Sequence, residues 1–475
     1  MYDVVIIGAG IVGGSIFREL TKYRIKIAVL EKENDVAMGS TKANSAIVHA
    51  GYDPVPGTLT AKYNVKGNEM FEPLCKQLDV PFVRNGSLVI GFDEEDIKTI
   101  KALYEKGLKN GVKGLQILSK EEVLQMEPNL NETVKGALYA PTGGIVDPFE
   151  LAIALFENGV QNGGEVKLQK EVVSIEKKEH FMIHTKDGDM VETKFIVNAA
   201  GVYADEVHNM ICEETFAIHP RAGEYFVMDK KEGTRFHRTV FQCPSKMGKG
   251  ILVTPTVHGN LLVGPDAIDI EDKEDKKTTA SGLAGVRSVS MRTTRGIDFR
   301  QTIRNFSGLR AVPSNDDFIV EENEGVKGFI DAAGMKSPGL SSAPAVAEEI
   351  VNILKNAGLP LTSNPDFDPN RRQIRFMELS EKEKEELIKK NPLYGRVICR
   401  CESITEGEIV DAIRRSFGVL SIDGVKRRCR PGMGRCQGGF CGPKVQEILS
   451  REYNIPMEDV VLDRDGSIIL YGKTK

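Results

Sequence analysis

The first thirty-one residues constrain the fold of this chain more than any other segment. Residues 2–7 have the pattern of a buried strand, residues 8–13 read Gly-Ala-Gly-Ile-Val-Gly, and a helical pattern then runs to about Tyr23. Gly8 permits a tight turn, Gly10 lets the backbone approach a pyrophosphate, and Gly13 lets the helix pack against the strand. The order of strand, glycine turn and helix predicts a dinucleotide-binding unit with the phosphates at the positive helix end.

An acidic residue after the second strand supports the same interpretation. Residues 26–31 form another apolar strand pattern that ends at Glu31, which follows Gly13 by 18 residues (31 − 13). This distance is close to the roughly 20 residues expected for a carboxylate that accepts a hydrogen bond from a ribose hydroxyl. The chain contains no second Gly-x-Gly-x-x-Gly motif, so one dinucleotide is predicted, and the motif by itself does not distinguish FAD from NAD.

Four cysteines near the other end of the chain form a second informative pattern. One residue separates Cys399 from Cys401, 34 residues (436 − 401 − 1) separate Cys401 from Cys436, and four separate Cys436 from Cys441. Thiolates bind both iron-sulfur clusters and zinc, but structural zinc sites usually space each pair by two to four residues. The spacing favours an iron-sulfur cluster, with zinc as the alternative. A fifth cysteine, Cys429, is interpreted as a small buried hydrophobe, with cluster ligation as its alternative.

Composition limits the compartment and the partners. Five of the eight cysteines lie in this C-terminal segment and the other three show no pattern, which argues against a disulfide framework and for a reducing cytoplasm. A net charge of −5 gives no reason to expect nucleic acid as a partner. The chain shows neither a positively charged leader nor an apolar run of eighteen residues, so no membrane span is predicted.

Further segments resemble known families. Residues 39–52, 197–205 and 331–344 resemble the D-amino-acid-oxidase-type FAD superfamily, in particular its branch of glycerol-3-phosphate oxidases and dehydrogenases and L-2-hydroxyglutarate oxidases. Residues 397–402 and 427–443 resemble the bacterioferritin-associated ferredoxin-like [2Fe-2S] domain that is fused to flavin dehydrogenases. The combination resembles the anaerobic-type glycerol-3-phosphate dehydrogenase family, and it implies FAD and a [2Fe-2S] cluster as cofactors.

The resemblance and the strand and helix patterns together predict the architecture. We expect an α/β chain with a Rossmann-like FAD domain, an α+β substrate domain of antiparallel sheet, and a small, mainly helical C-terminal cluster-binding domain. The FAD domain is predicted at residues 1–90, 145–211 and 305–360, and the substrate domain at 91–144 and 212–304. A linker that carries one solvated helix is predicted at 361–392, and the [2Fe-2S] domain at 393–475.

The resemblance also implies which residues form the site. The residues expected to bind FAD are Gly8, Gly10, Gly13, Glu31, Lys32, Thr41, Asn44, Ser45, Val172, Ala200, Gly201, Gly334, Ser337, Gly339, Leu340 and Ser341. The expected cluster ligands are Cys399, Cys401, Cys436 and Cys441, and the expected catalytic residues are His49, Lys249 and Arg310.

The catalytic candidates follow from the chemistry of alcohol oxidation. Imidazole is a suitable base for a hydroxyl proton near neutral pH. The resemblance implies that residues 44–52 run past the flavin ring, so His49 is the predicted base; a structural role and covalent flavin attachment are its alternatives. Arg310 and Lys249 would hold an anionic substrate, although a surface salt bridge is an alternative for either. His258 is a weaker candidate for the base, and Arg221 and Tyr225 are weaker candidates for the substrate site.

The predicted activity is oxidation of sn-glycerol 3-phosphate to dihydroxyacetone phosphate by FAD. The cluster would relay single electrons to a partner, which we expect to be a flavoprotein or iron-sulfur subunit. The alternatives are a 2-hydroxy acid such as L-2-hydroxyglutarate, an amino or imino acid, and a non-catalytic electron-transfer subunit. Basic residues near the cysteines would stabilise a reduced cluster, form a solvated face or dock an acidic partner: Arg414, Arg415, Lys426, Arg427, Arg428, Arg430 and Arg435.

Overall fold

The structure is a computed structural model that describes residues 1–244, 250–415, 417 and 419–472. The strands of these residues, in chain order, are β1 (Tyr2–Ile7), β2 (Ile27–Leu30), β3 (Ile47–Val48), β4 (Phe82–Val83), β5 (Ser87–Gly91), β6 (Gln116–Ser119), β7 (Gly136–Ala140), β8 (Gly144–Val146), β9 (Glu165–Lys167), β10 (Val172–Lys177), β11 (Phe181–Thr185), β12 (Met190–Asn198), β13 (Ile218–Met228), β14 (Thr239–Gln242), β15 (Leu252–Pro255), β16 (Leu261–Gly264), β17 (Ile268–Asp269), β18 (Thr302–Pro313), β19 (Ile319–Glu322), β20 (Phe329–Ala333), β21 (Val397–Cys399) and β22 (Ile404–Thr405). The α-helices are α1 (Ile11–Leu20), α2 (Leu59–Leu78), α3 (Glu94–Lys109), α4 (Lys120–Met126), α5 (Pro148–Gln161), α6 (Ala204–Asn209), α7 (Lys230–Gly233), α8 (Ala280–Thr293), α9 (Gly339–Asn356), α10 (Glu381–Lys390), α11 (Glu406–Arg414), α12 (Ile422–Cys429) and α13 (Gly442–Tyr453).

The first sheet carries the glycine turn. Its strand order is β10-β11-β12-β1-β2-β9, and β20 pairs with β12 and β19. Strands β12, β1, β2, β9 and β20 run parallel. Buried parallel strands read as continuous apolar runs because both faces are covered. Helices α1, α5 and α9 pack on one face through a core that includes Phe17, Phe156 and Ile350. The predicted Rossmann-like FAD domain is confirmed.

The second sheet is largely antiparallel. Its order is β17-β13-β16-β15-β14-β5-β7-β6, and β18 pairs with β13 along most of its length. Strands β5 and β18 both belong to this sheet, so the domain borders predicted at residues 90 and 305 fall inside two of its strands. The borders differ because strand pairing joins segments that are distant in sequence, and no local pattern of residues records it.

The C-terminal domain is small and mainly helical, as predicted. The β21–β22 hairpin and helices α11, α12 and α13 surround a core that includes Ile409, Val425 and Leu449. In the segment predicted as a linker, α10 has no buried residue. Arg371 and Arg375 of the same segment, however, pair with Glu157 at 2.6 Å and Glu150 at 2.5 Å. This segment is therefore anchored to α5 before it reaches the cluster domain.

No helix in the described part of the chain is long and apolar enough to cross a lipid bilayer.

A buried ionic contact joins the C-terminal domain to the FAD domain. Asp35 is 2% exposed, and its carboxylate accepts two hydrogen bonds from Arg428, at 2.7 and 2.8 Å, and one from Arg427 at 3.0 Å. Burial alone would raise the pKa of Asp35, but the charges of Arg428 and Arg427 outweigh it and lower that pKa to about 2. The cluster domain is therefore held against the FAD domain by a fully ionised contact at neutral pH.

Replacing Asp35 with asparagine is expected to destabilise the protein by about 3–5 kcal/mol, because the buried Arg428 guanidinium loses its counter-charge and Arg427 keeps only its pair with Asp463. Urea unfolding with limited proteolysis would measure the loss. In the unaltered protein the contribution of Asp35 is complete above its unfolded pKa of about 3.9 and is lost as the pH falls toward 2. Asp269→Asn is the control, since Asp269 forms an exposed pair with Arg221 and should have little effect. Equal stability of the two variants would contradict the prediction.

Candidate functional site

A cavity of about 640 Å³ lies at the ends of the parallel strands of the first sheet. Ligand sites in such sheets lie beyond the carboxyl ends of the strands. The predicted cofactor residues that line the cavity are Gly8, Gly10, Glu31, Lys32, Thr41, Asn44, Ala200 and Gly201. These residues come from the loops after β1, β2 and β12, so the cavity collects three segments that are far apart in sequence.

The glycine turn leaves room for a phosphate group. A Cβ on Gly8, which has φ +105°, would lie 2.5 Å from the carbonyl oxygen of Ala199, and one on Gly13 would lie 2.1 Å from that of Gly8. Helix α1 begins after Gly10 without a side-chain cap or an acidic residue in its first turn. The Ile11 N–H donates to the hydroxyl of Thr41 at 3.0 Å, and the remaining N–H groups of the first turn and the helix dipole are available to an anion. The turn fits a pyrophosphate.

Glu31 presents a fixed carboxylate to the cavity. It accepts hydrogen bonds from the backbone N–H of Ala9 at 2.7 Å and of Glu33 at 3.0 Å. Burial raises the pKa of Glu31. The neighbouring Lys32 lies 3.8 Å from the ring centroid of Tyr203. A carboxylate held in this way can accept a hydrogen bond from a ribose hydroxyl.

Other predicted cofactor residues lie away from the cavity lining. Val172 is buried in β10, where it pairs with Thr185. Gly334 has φ +69°, and a Cβ there would lie 2.8 Å from the ring of Pro313. Three more predicted residues, Gly339, Leu340 and Ser341, form the first turn of α9. Gly334 and the first turn of α9 nevertheless adjoin the cavity, because Met335 of the same segment lines the cavity.

His49 lies at the meeting point of two predicted segments. Its Nε2 is 3.2 Å from the hydroxyl oxygen of Ser337, and its backbone N–H donates to the hydroxyl of Ser341 at 2.7 Å. Asn64 donates to the backbone carbonyl of His49 at 2.8 Å. The ring of Phe241 stacks on the imidazole with centroids 5.8 Å apart. Contacts on both the ring and the backbone therefore set the orientation of His49.

Tyr225 lies between Arg310 and Ser45 and contacts both. The hydroxyl of Tyr225 is 2.8 Å from that of Ser45. The Arg310 guanidinium donates to the carbonyls of Ala222 and Asp266, both at 3.2 Å. Burial raises the pKa of Tyr225, and the charge of Arg310 opposes this rise. The structure thus brings Ser45, Tyr225 and Arg310 together next to Asn44 of the cavity.

The remaining candidates have different surroundings. Arg221 forms an exposed pair with Asp269. His258 lines the cavity, and its Nε2 is 3.0 Å from the carboxylate of Asp147, which caps α5. Lys249 lies outside the described residues.

Sequence reasoning missed the contribution of the C-terminal domain to the cavity. Lys426, Arg427, Arg430, Asp463 and Arg464 line it together with the glycine turn. The basic run at residues 426–430 is a sequence signal for these side chains, although its position in the chain associates it with the cysteines. The run faces the FAD domain because acids of that domain pair with it.

The four predicted ligand cysteines form two pairs. The sulfurs of Cys401 and Cys436 are 3.8 Å apart, and the Cys441 thiol donates a hydrogen bond to Cys399. A tetrahedral zinc site with Zn–S bonds of 2.3 Å would place all four sulfurs about 3.8 Å from one another. Among the described residues, however, no three cysteine sulfurs lie within 4.8 Å of one another. Two separate pairs fit a [2Fe-2S] cluster, in which each iron takes two thiolates.

Hydrogen bonds favour the thiolate of one cysteine in each pair, while the pKa of its partner, Cys441 or Cys401, is raised. The Cys441 thiol, together with the backbone N–H of Gly432, lowers the pKa of Cys399 to about 6. The backbone N–H of Phe440 lowers the pKa of Cys436. Stabilising the thiolate favours iron binding.

Cys429 belongs to the hydrophobic core of the C-terminal domain. It is 5% exposed, and its thiol donates to the carbonyl of Val425 at 3.6 Å. Burial raises the pKa of Cys429, which disfavours the thiolate. The surroundings are those of a packing residue.

Comparison with known proteins identifies both parts of the chain. The family model for the FAD dependent oxidoreductase matches residues 3–353, and that for the BFD-like [2Fe-2S] binding domain matches residues 397–451. The glycerol 3-phosphate dehydrogenase of Caloramator mitchellensis is 54% identical over 100% of this chain and 99% of its own length. The mitochondrial L-2-hydroxyglutarate dehydrogenase of Bos taurus is 31% identical over 56% of this chain and 61% of its own.

A solved structure agrees with these matches. The dithionite-reduced L-alpha-glycerophosphate oxidase of Mycoplasma pneumoniae, with FAD bound, is similar at a TM-score of 0.75 and 30% identity. The match covers 79% of this chain and 99% of the oxidase. FAD and a [2Fe-2S] cluster are therefore the cofactors, as the sequence predicted, and the glycine turn and the paired thiols fit them.

Proposed function

This chain belongs to the FAD dependent oxidoreductase family, and we propose that it oxidises sn-glycerol 3-phosphate to dihydroxyacetone phosphate and passes the electrons through its [2Fe-2S] cluster. The observation that carries the proposal is the likeness to the Caloramator mitchellensis glycerol 3-phosphate dehydrogenase, which extends over both domains. When bound, FAD accepts two electrons as a hydride and can return them singly.

His49 is the base in this proposal. Its contacts with Ser337 and Ser341 fix the imidazole where the loop after β3 meets the segment before α9. Both of these segments resemble those of the flavin-dependent branch noted in the sequence. A fixed imidazole can take the proton from the substrate hydroxyl while hydride leaves the adjacent carbon.

Arg310 and Lys249 hold the phosphate of the substrate in this proposal. Two N–H groups of Arg310 donate to backbone carbonyls, and these bonds orient the guanidinium. The guanidinium has five N–H donors in all. The proposed cofactor contacts are those predicted from the sequence, with Val172 acting through its backbone.

The proposed partner is a flavoprotein or iron-sulfur subunit that receives electrons from the cluster. The compartment that we propose is the cytoplasm, which agrees with eight cysteines that are all free and with the redox conditions that thiols need. L-2-hydroxyglutarate remains the second candidate substrate, because the bovine dehydrogenase for it is also similar to this chain.

Anaerobic mixing with substrate tests the proposed function. We expect sn-glycerol 3-phosphate to bleach the flavin absorbance, followed by loss of the broad iron-sulfur bands as the cluster becomes reduced. The enantiomer, sn-glycerol 1-phosphate, is the control for specific binding. Bleaching by L-2-hydroxyglutarate alone would replace the proposed substrate with the second candidate, and no bleaching by either would refute the proposed activity.

A further inference from the structure

The two thiol pairs of the cluster site differ in exposure. Cys399 and Cys441 are 1% and 2% exposed, whereas Cys401 is exposed and Cys436 is half-buried. One iron of a [2Fe-2S] cluster would therefore be held by the inner pair and the other by the outer pair. The outer pair marks the side on which another molecule can approach the cluster most closely.

An apolar and basic rim surrounds the outer pair. We define the cluster rim as Arg400, Arg435, Phe440 and Lys444, all of which are exposed. Phe440 is 84% exposed, although its backbone N–H donates to the sulfur of Cys436. Aromatic side chains and arginines are enriched at protein–protein interfaces, so Phe440 offers an apolar contact beside the outer pair.

The position of each rim residue follows from the ligand loops. Arg400 lies between two ligand cysteines, Arg435 directly precedes Cys436, and Lys444 lies in the first turn of α13 after Cys441. The two loops touch, because a Cβ on Gly434 would lie 2.4 Å from that of Cys401. The rim residues therefore gather around one site.

Ion pairing distinguishes the rim from the other basic residues of this domain. Arg427 and Arg428 pair with Asp35, and Arg430 pairs with Asp147 and Glu402. In the part of the chain that the structure describes, none of the three rim cations forms an ion pair. Cations that are neither paired nor buried give the rim a positive potential toward solvent.

We propose that the cluster rim is the docking site of an acidic one-electron carrier protein. This inference rests on the proposed relay of electrons through the cluster. Acidic residues of the carrier would face Arg400, Arg435 and Lys444, while an apolar contact covers Phe440. In each encounter the reduced cluster loses one electron and the oxidised centre of the carrier gains one. Two encounters therefore remove the two electrons of one substrate oxidation.

Pre-reduced protein tests the rim without relying on the substrate. The protein is reduced with dithionite, desalted anaerobically and mixed in a stopped-flow instrument with ferric cytochrome b5, an acidic haem protein, or with ferric cytochrome c, a basic one. The rate with cytochrome b5 should fall as ionic strength rises, because opposite charges steer the encounter. The double variant Arg435→Glu/Lys444→Glu should slow cytochrome b5 reduction by about tenfold or more and should not slow cytochrome c.

Two further variants separate charge from packing. Phe440→Ser should raise the concentration of cytochrome b5 at which the rate saturates. The absorbance of the cluster should not change. The double variant Lys389→Glu/Lys390→Glu carries the same two charge reversals on exposed α10, outside the ligand loops, and should leave the rate unchanged. Three results would each overturn the proposal: equal losses with both haem proteins, an effect of Lys389→Glu/Lys390→Glu as large as that of the rim variant, or salt-independent rates with cytochrome b5. A protein that passes this test but is not bleached by glycerol 3-phosphate would refute the substrate and retain the docking site.

Discussion

Replacing His49 with asparagine is expected to slow flavin reduction by sn-glycerol 3-phosphate by about 10²–10⁴-fold, the usual contribution of a general base. Asparagine can retain a hydrogen bond to Ser337 but cannot take the hydroxyl proton. The rate of flavin bleaching in anaerobic single-turnover experiments measures the effect directly, and the KM should change much less than kcat.

His258 provides the control for this experiment. His258 lines the cavity, but its imidazole is engaged with Asp147, so His258→Asn should alter the bleaching rate far less than His49→Asn. Added imidazole should restore part of the rate of the His49 variant. A loss of less than about tenfold on replacing His49 would assign it the structural role instead. Retention of flavin after denaturation would support the covalent alternative.

Replacing Cys441 with serine is expected to abolish the stable [2Fe-2S] cluster, because the inner pair then lacks one of its two thiolates. The broad visible absorbance and the electron paramagnetic resonance signal of the reduced cluster should disappear. Flavin bleaching by substrate should remain, since the cavity is formed by other residues. Electron delivery to a protein acceptor should fall sharply, because the proposed relay between the flavin and the acceptor is then missing.

Cys429→Ala is the matched control for the cysteine experiment. Cys429 lies on α12 among core residues, so its loss should leave iron and sulfide content unchanged and cost only the packing of one small side chain. If Cys429→Ala removes the cluster while Cys441→Ser retains it, the assignment of ligands is wrong.

The sequence alone predicted the two cofactor sites because their signals are local. The glycine turn depends on backbone conformation within a few residues, and Gly8 with its positive φ is such a position. Thiolate ligands are likewise recognisable by residue type and spacing.

Contacts between distant segments could not be predicted in this way. The pairing of β18 with β13 moved a predicted domain border, and the contact between Asp35 and Arg428 spans 393 residues of chain. No local pattern indicated that Asp35 would be buried or that it would face the basic run. Tyr225 was a sequence candidate for the substrate site, but no local pattern indicated its contacts with Ser45 and Arg310.

The sequence by itself therefore determined the two cofactors of this protein through a dinucleotide turn and a cysteine pattern, and it predicted the ligand set and a base with cations for an anionic substrate. The tertiary structure decided how these groups are arranged: which thiol pair is buried, which arginines are paired with acids, and which cations are exposed to solvent. The physical reason is that ligand identity belongs to single side chains, whereas burial and charge compensation depend on what the rest of the chain places beside them.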